Sequence, residues 1–435
     1  MTNNNKVKLS TILKERKGRY KPSDPKIKDL KRIDKIDFQG NIYFSNNPSK
    51  TNMILVKKGD LVISGINVAK GAMAVYDGEE NVKATIHYSS YTFDQNSIDI
   101  EYLKRFLKSE EFINELKDKV KGGIKTEIKP KHLLPIEITL PDINDQKTIV
   151  SQFIRTENKH KKLTNEITKQ RTYIQKLRQQ VLQEAIQGKL TEEWRRQTPD
   201  IESASELLKR IKAEKEKLVK EGKIKKSKPL PPIKEEEKPF ELPEGWVWCR
   251  LGEVLLKLND GTHNSPSNTY KGEYKYITAK NIRLRGIELS NITYVTKEVH
   301  DSIYQRCNPE YGDILYVKDG ATTGMVCINN LEEEFSLLSS VALMKPPTEV
   351  DNKYLLYTLR SPFYYNSLRS NMFGVAITRV TVKKLQNSIV PIPPLKEQKM
   401  IAYKLEKVIE NCDNLTIQTE KNGRYADKLM QAVLR

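Results

Sequence analysis

One junction occurs twice in this chain, and that repetition limits the possible folds more than any other feature. "PDINDQKTI" (Pro141–Ile149) and "PPLKEQKMI" (Pro393–Ile401) both read as the exit from a strand into a long helix, with Gln146 and Gln398 standing 252 positions apart. The same offset brings "YIQKLRQQVL" (Tyr173–Leu182) onto "YADKLMQAVL" (Tyr425–Leu434), and "GGIKTEI" (Gly122–Ile128) onto "GVAITRV" (Gly374–Val380). Upstream the offset becomes 253, where Gly59-Asp60 falls on Gly312-Asp313, and "VKLSTIL" (Val7–Leu13) resembles "CRLGEVL" (Cys249–Leu255) at 242. Ordered matches this far apart exceed the ~20–50-residue period of stacked repeats. They predict duplication of a whole domain, each copy a mixed α/β globule followed by a helix.

Local patterns agree. "MILVKKGDLVIS" and "YGDILYVKDG" alternate around a Gly-Asp turn and predict strand–turn–strand. "SIDIEYLKRFLKSEEFINEL" and "VDNKYLLYTLRSPFYYNSL" carry helical spacing, and "IEITLP" and "SIVPIP" predict short strands closed by proline. From Asn144 to about Leu190 no proline intervenes, and Leu163, Ile167, Ile174, Leu177 and Val181 form an a/d seam. Leu405, Val408, Cys412, Leu415, Leu429 and Val433 form a second seam. Each helix is the obvious mate for the other. The expected architecture is therefore α/β (α+β): two pseudo-symmetric globules separated by a long antiparallel two-helix coiled coil. The divisions are 1–142 for the first globule, 143–195 for the first long helix, 196–241 for a connector, 242–394 for the second globule and 395–435 for the second long helix. Within the connector, "SASELLKRIKAEKEKLVKEG" opens with a capping box (Ser203, Glu206) and stops at Gly222. The Pro-rich, charged stretch that follows reads as a semi-extended linker whose charges serve solvation.

The chain has 435 residues, enough for two to four domains, and a formal net charge of +19, which makes a polyanion the default partner. Four separated cysteines without C-x-x-C fit free thiols in a reducing compartment rather than a disulfide frame or a zinc site. "MTNNNKVKLS" has no apolar signal region and no apolar run approaches a membrane span, so a cytoplasmic protein is expected.

At this level the sequence resembles the specificity (S) subunits of type I restriction–modification systems. The carriers are the two Gly-Asp strands, the two duplicated exits, "QGKLTEEWR" (Gln187–Arg195), "LPEGWVWCRLGEV" (Leu242–Val254) and the loop "DGTHNSP" (Asp260–Pro266). The resemblance implies two target recognition domains, each reading one half of a split double-stranded DNA site. It implies a helical spacer that docks two adenine methyltransferase subunits, with restriction motor–nuclease subunits joining them. S-adenosylmethionine and ATP would sit on those partners and no cofactor on this chain. The sequence departs from the pattern in having no counterpart of "LPEGWVW" before the first globule, and a second helix shorter than the first. The alternatives are a coiled-coil scaffold, or a stand-alone DNA-binding regulator without a methyltransferase.

The residues supply no catalytic set of their own. "SPFY" (Ser361–Tyr364) lacks the second proline of a base-gripping methyltransferase motif, and no P-loop is present. Pro141-Asp142 with Glu157 and Lys159 matches a nuclease pattern in text, but the last two fall on a helix and correspond to Ile409 and Asn411 in the other copy. The five histidines show no metal-ligand spacing. A binding subunit without chemistry is expected, with phosphate neutralisation supplying affinity and base-edge contacts supplying selectivity. In the first globule the candidate DNA contacts are Lys14, Arg16, Lys17, Arg19 and Tyr20 of a basic loop, with Asn67, Lys70, Lys125 and Thr126. In the second they are Thr262, His263 and Asn264, then Lys280, Asn281, Arg283 and Arg285, then Lys318, Thr322, Thr323 and Arg379. Arg and Asn suit the task because they pair bidentately with guanine and adenine edges.

Overall fold

Mostly apolar runs after each Gly-Asp pair, Leu61–Ser64 and Ile314–Val317, build the central strands of two globules with one shared plan, and they are buried at every position rather than at the expected alternate ones. A computed structural model describes residues 5–67, 72–94, 96–110, 112, 114, 115, 128–369 and 379–434. It resolves into two units, Met1–Thr168 with Glu420–Arg435, and Lys169–Thr419. Lys70, Lys125 and Thr126 lie outside the described residues, as does the side chain of Val433.

The first unit contains β1 (Asn5–Lys8), β2 (Leu13–Glu15), β3 (Arg32–Ile36), β4 (Ile42–Ser45), β5 (Met53–Val56), β6 (Leu61–Ser64), β7 (Met73–Val75), β8 (Val82–Thr85), β9 (Tyr88–Phe93) and β10 (Glu137–Leu140). The second contains β11 (Val247–Arg250), β12 (Lys257–Asp260), β13 (Tyr274–Ile277), β14 (Ile282–Arg283), β15 (Gly286–Ile287), β16 (Thr293–Val295), β17 (Ile314–Val317), β18 (Val326–Ile328), β19 (Phe335–Leu337), β20 (Val341–Lys345) and β21 (Ile389–Ile392). One sheet runs β2-β9-β6-β7 in the first unit and β12-β20-β17-β18 in the second, antiparallel throughout. A further sheet pairs β3 antiparallel with β4 and parallel with β8; β13 pairs in the same way with β16 and β19. β1–β10 matches β11–β21. The duplication read from sequence is thus a duplication of topology.

The Gly-Asp motif has the same function in both copies. Gly59 (φ +84°) and Gly312 (φ +87°) sit in the left-handed region that disfavours side chains. The carboxylates of Asp60 and Asp313 accept the backbone N–H of Lys57 at 2.9 Å and of Glu310 at 2.7 Å, closing the turn that launches β6 and β17.

The first long helix spans Ile143–Ile186 and the second Leu395–Leu434. In the first unit His160 Nε2 lies 3.1 Å from Asp427 Oδ1. In the second unit Arg178 pairs with Asp413, and farther along Lys404 Nζ donates to the Leu190 carbonyl at 3.0 Å, so the helices run antiparallel there. The seam differs from the expected one. Leu163 and Leu177 are 47% and 45% exposed, and Leu415 and Leu429 are also exposed, whereas Ile167, Val181, Leu405 and Cys412 are buried. The inward positions of the first helix are His160, Thr164, Ile167, Ile174, Arg178, Val181 and Ala185, at steps of three and four with one step of seven. Polar pairs occupy part of that seam, so the apolar pattern alone assigned its phase one residue early at Leu163 and Leu177.

The connector helix, Ala204–Lys220, buries Ala204, Leu207 and Ile211 in the core of the second unit, together with Val181, Leu182 and Trp246. Ser203 stands at its N-cap without a side-chain capping bond, contrary to the capping-box expectation. The linker charges do more than solvate. Glu237 grips Arg250 at 2.7 and 2.8 Å, and Arg250 also donates to the carbonyls of Pro231, Pro232 and Asn387.

Candidate nucleic-acid interface

In the second unit the loops leaving β12, β13 and β17 are joined at the head of β20. Lys318 N–H donates to the Ser340 carbonyl at 2.9 Å, Ser339 N–H to Thr262 at 2.8 Å, and Val380 N–H to Lys318 at 2.8 Å. Ala279 N–H, in the turn carrying Lys280, donates to Ser340 Oγ at 3.3 Å. Gly261 makes the crossing possible: a Cβ there would lie 1.8 Å from the Leu337 carbonyl oxygen. His263, Asn264, Lys280, Thr322 and Arg379 are all exposed around this junction.

A charged network lies beneath them. Asp260 accepts from Arg306 at 2.7 Å and lies 3.4 Å from Lys318 Nζ; Lys318 also contacts Asp319 at 3.0 Å. Asp319 faces Arg379 Nε at 3.3 Å, and His263 Nε2 sits 3.2 Å from the Arg306 guanidinium. Three cations (Lys318, Arg306, Arg379) face two carboxylates, leaving the cluster net positive. Lys318 is 1% exposed and doubly paired, so it supports the junction and presents nothing. Asn281 is 4% exposed: its Oδ1 accepts from Thr278 N–H at 3.0 Å and its Nδ2 donates to the Glu288 carbonyl at 3.2 Å. Its amide caps a turn and does not face a base edge. Thr323 is buried, its hydroxyl donating to the Gly320 carbonyl at 2.7 Å. Half-buried Thr262 donates to the Asn264 carbonyl. Arg283 pairs with Glu288 at 2.8 Å and Arg285 with Asp413 at 3.0 Å.

In the first unit, Arg16 makes two bonds to buried Asp60, at 2.6 and 2.7 Å, while Ser90 Oγ donates to the same carboxylate at 2.7 Å. Burial alone would raise the Asp60 carboxyl; the bonds from Arg16, Lys57 N–H and Ser90 outweigh it and hold the group below its ordinary value. Arg16 is therefore a fold residue and not the expected phosphate contact. Lys14, Lys17 and Arg19 are exposed and make no ion pair among the described residues, and half-buried Tyr20 pairs its backbone with Met53. Asn67 is half-buried, apart from that loop in sequence, in the turn that follows β6.

The rejected catalytic patterns also have structural occupations. Glu157 holds Arg105 at 2.6 and 2.9 Å. Tyr364, inside the core, places its hydroxyl 2.9 Å from Ser388 Oγ. Among the described residues no group of three or more His, Cys, Asp and Glu could hold a metal, and no helix is long and apolar enough to cross a membrane. All four cysteines are free and buried.

Sequence reasoning missed Arg306, Asp260 and Asp319. Asp260 ends β12 and Asp319 follows β17, each directly before a glycine, a signal that was available; Arg306 follows a helix with no motif to mark it. It also missed the node at Glu397. That carboxylate, 1% exposed, accepts from Trp246 Nε1 at 2.8 Å, Thr191 Oγ1 at 2.6 Å and Arg195 at 2.9 Å. "LPEGWVW", "QGKLTEEWR" and "LKEQK" therefore meet at a single buried acid.

Comparison with known proteins gives a consistent result. Residues 243–422 match the family described as the type I restriction modification DNA specificity domain. The chain is 37% identical over 270 residues to the Escherichia coli type I restriction enzyme EcoAI specificity subunit, covering 59% of this chain and 44% of that protein. It is 32% identical over 282 residues to the EcoEI specificity subunit, also of E. coli, covering 60% and 45%. The match thus spans less than half the length of these relatives. Two solved structures share the fold at 18% identity. One comes from a study of complex assembly and conformational transition of the type I R-M system (TM-score 0.66, covering 99% of this chain and 96% of that one). The other is the HsdS subunit from Thermoanaerobacter tengcongensis (TM-score 0.61, covering 99% and 95%).

Proposed function

We infer that this chain is a type I restriction–modification specificity subunit, as its matches support, and that it reads a bipartite, asymmetric DNA target, one half-site per unit. The observation that carries the reading is the stitched loop junction of the second unit, where exposed His263, Asn264, Lys280 and Arg379 surmount a net-positive network. Exposed Lys14, Lys17 and Arg19 supply the cationic surface of the first unit. The two sets differ in residue type, and this supports unlike half-sites. Lysines and arginines neutralise phosphates, while Asn and His can address base edges.

The long helices are the spacer, and they recruit two adenine methyltransferase subunits, with motor–nuclease subunits joining for restriction. Leu163, Tyr173, Leu177, Leu415, Tyr425 and Leu429 stay exposed on those helices, which supports docking of protein partners there. The chain has no chemistry of its own; S-adenosylmethionine and ATP belong to the partners, and the complex works on cytoplasmic DNA. The test is to co-express the chain with an adenine methyltransferase subunit of a type I system and to select targets from a randomised duplex library. Two unlike half-sites at a fixed gap are expected, from a complex of two methyltransferases per chain. A single uninterrupted site, a perfect palindrome, or DNA binding with no associated methyltransferase would overturn the reading.

A further inference from the structure

The β14–β15 hairpin of the second unit is anchored to other elements at both of its turn residues. Arg285 donates to Asp413 Oδ2 on the second long helix at 3.0 Å. Asp413 Oδ1 pairs with Arg178 of the first long helix. Next to Arg285, the Leu284 carbonyl accepts from the Arg360 guanidinium, which also donates to Val326 of β18 at 2.9 and 3.3 Å. A two-residue turn, both long helices and the end of the helix Asn352–Arg360 are thus joined through one acid and three arginines. Lys161 stands at the position in the first copy that corresponds to Asp413, so the first unit has no acid there.

We propose that Asp413 is a positioning residue for target recognition: by holding Arg178 and Arg285 together it fixes the β14–β15 hairpin against the helix pair, and so sharpens discrimination of the gap between half-sites. This rests on the proposed reading of a bipartite site. Arg285 is 80% exposed, so the pair adds little to global stability and acts on geometry. Adding or removing one base pair in the gap moves the next half-site by ~3.4 Å and about a tenth of a helical turn. A rigid joint penalises that displacement, and a compliant joint absorbs it. Arg285 accordingly acts as a strut for the hairpin and does not read bases.

The test uses the full chain with its methyltransferase partner, on the selected target and on versions with the gap changed by one base pair in either direction. For the unaltered chain, strong preference for one gap is expected; if no bipartite preference appears, the functional reading itself fails. With that preference established, Asp413→Asn and Arg285→Gln should each lower the ratio of cognate to shifted-gap affinity several-fold. They should leave half-site selection and thermal unfolding nearly unchanged. Asp413→Glu should restore the ratio, and the double variant Asp413→Asn with Arg285→Gln should lose no more than either single one. An unchanged ratio in the single variants, or fully additive losses in the double variant, would overturn the clasp while leaving the bipartite reading intact. Altered base preference in the Arg285→Gln half-site would return Arg285 to the readers and overturn the strut.

Discussion

Gln398 Oε1 accepts the backbone N–H of Asp351 at 2.8 Å, while Gln398 Nε2 donates to the Pro393 carbonyl at 2.9 Å. Gln146 does the same for Asp99 at 2.8 Å and Pro141 at 2.8 Å, and both aspartates cap helices by accepting from Tyr354 and Tyr102. One buried amide thus locks the strand exit to a neighbouring helix start in each copy. Gln398→Ala leaves a buried donor and a buried acceptor unpaired, at a cost of about 2–3 kcal/mol. Trp194, Trp246 and Trp248, the three tryptophans, all lie in the second unit, so their fluorescence reports that unit alone. Urea unfolding followed by that signal should shift for Gln398→Ala and stay in place for Gln146→Ala, whose loss should appear in circular dichroism. An equal shift for both variants would show that the locks are not local.

Asp60 and Asp313 occupy equivalent turns yet titrate in opposite directions. Asp60 is held below its ordinary value because its hydrogen bonds outweigh burial; Asp313 is raised by burial, which its bond to Lys345 at 2.7 Å only partly offsets. A depressed folded value contributes stability above the unfolded pKa of about 3.9, and that stability is lost as pH falls through the folded value. A raised folded value does the reverse: its contribution is present below the unfolded pKa and is lost as pH rises through the folded one. Carboxyl carbon titration by NMR should therefore find midpoints on opposite sides of the ordinary aspartate value. Asp60→Asn should flatten the acid-side stability loss of the first unit. Two midpoints on the same side would contradict the assignment.

Arg16 and Lys17 are neighbours with separate tasks. Arg16→Ala strands the buried Asp60 carboxylate and should cost about 2–4 kcal/mol of stability. Lys17→Ala should leave stability in place and reduce the slope of log affinity against log salt by roughly 0.9, as for one phosphate contact. Lys14→Ala and Arg19→Ala should behave like Lys17→Ala. A flat response in all three would remove the loop from the DNA interface.

Much of the fold was legible because the signals were local and doubled: Gly-Asp turns need a left-handed glycine, and strand exits need a proline and a buried amide. The helix seam was legible in kind but not in phase, since Arg178 pairs inward with Asp413 while Leu177 stays exposed, and hydropathy ranks those two the other way round. The site was least legible. Arg16, Asn281, Lys318 and Thr323 have the right chemistry for DNA, but their polar atoms are engaged within the fold: Arg16 and Lys318 by acids distant in sequence, Asn281 and Thr323 by backbone groups of their own turns. Glu157 illustrates the same limit. It pairs with Arg105, and where the second copy has Ile409 for the acid it has Tyr357 for the arginine, both in or against the apolar core. An ion pair in one copy is replaced by two residues of the apolar core in the other, and neither change is interpretable alone.

The spacer role gives the most direct mechanical prediction. Removing one heptad from each long helix retains the three–four seam, because seven residues return the same face of the helix to its mate. At 1.5 Å per residue the pair shortens by roughly 10 Å, equivalent to about three base pairs of duplex. Arg178, Asp413 and the Glu397 node should be left outside the excised segments, so that the second unit keeps its anchors. The shortened chain should select the same two half-sites with a gap reduced by about three base pairs, read out by the same library selection. Retained binding at the original gap would show that the helices do not set the spacing.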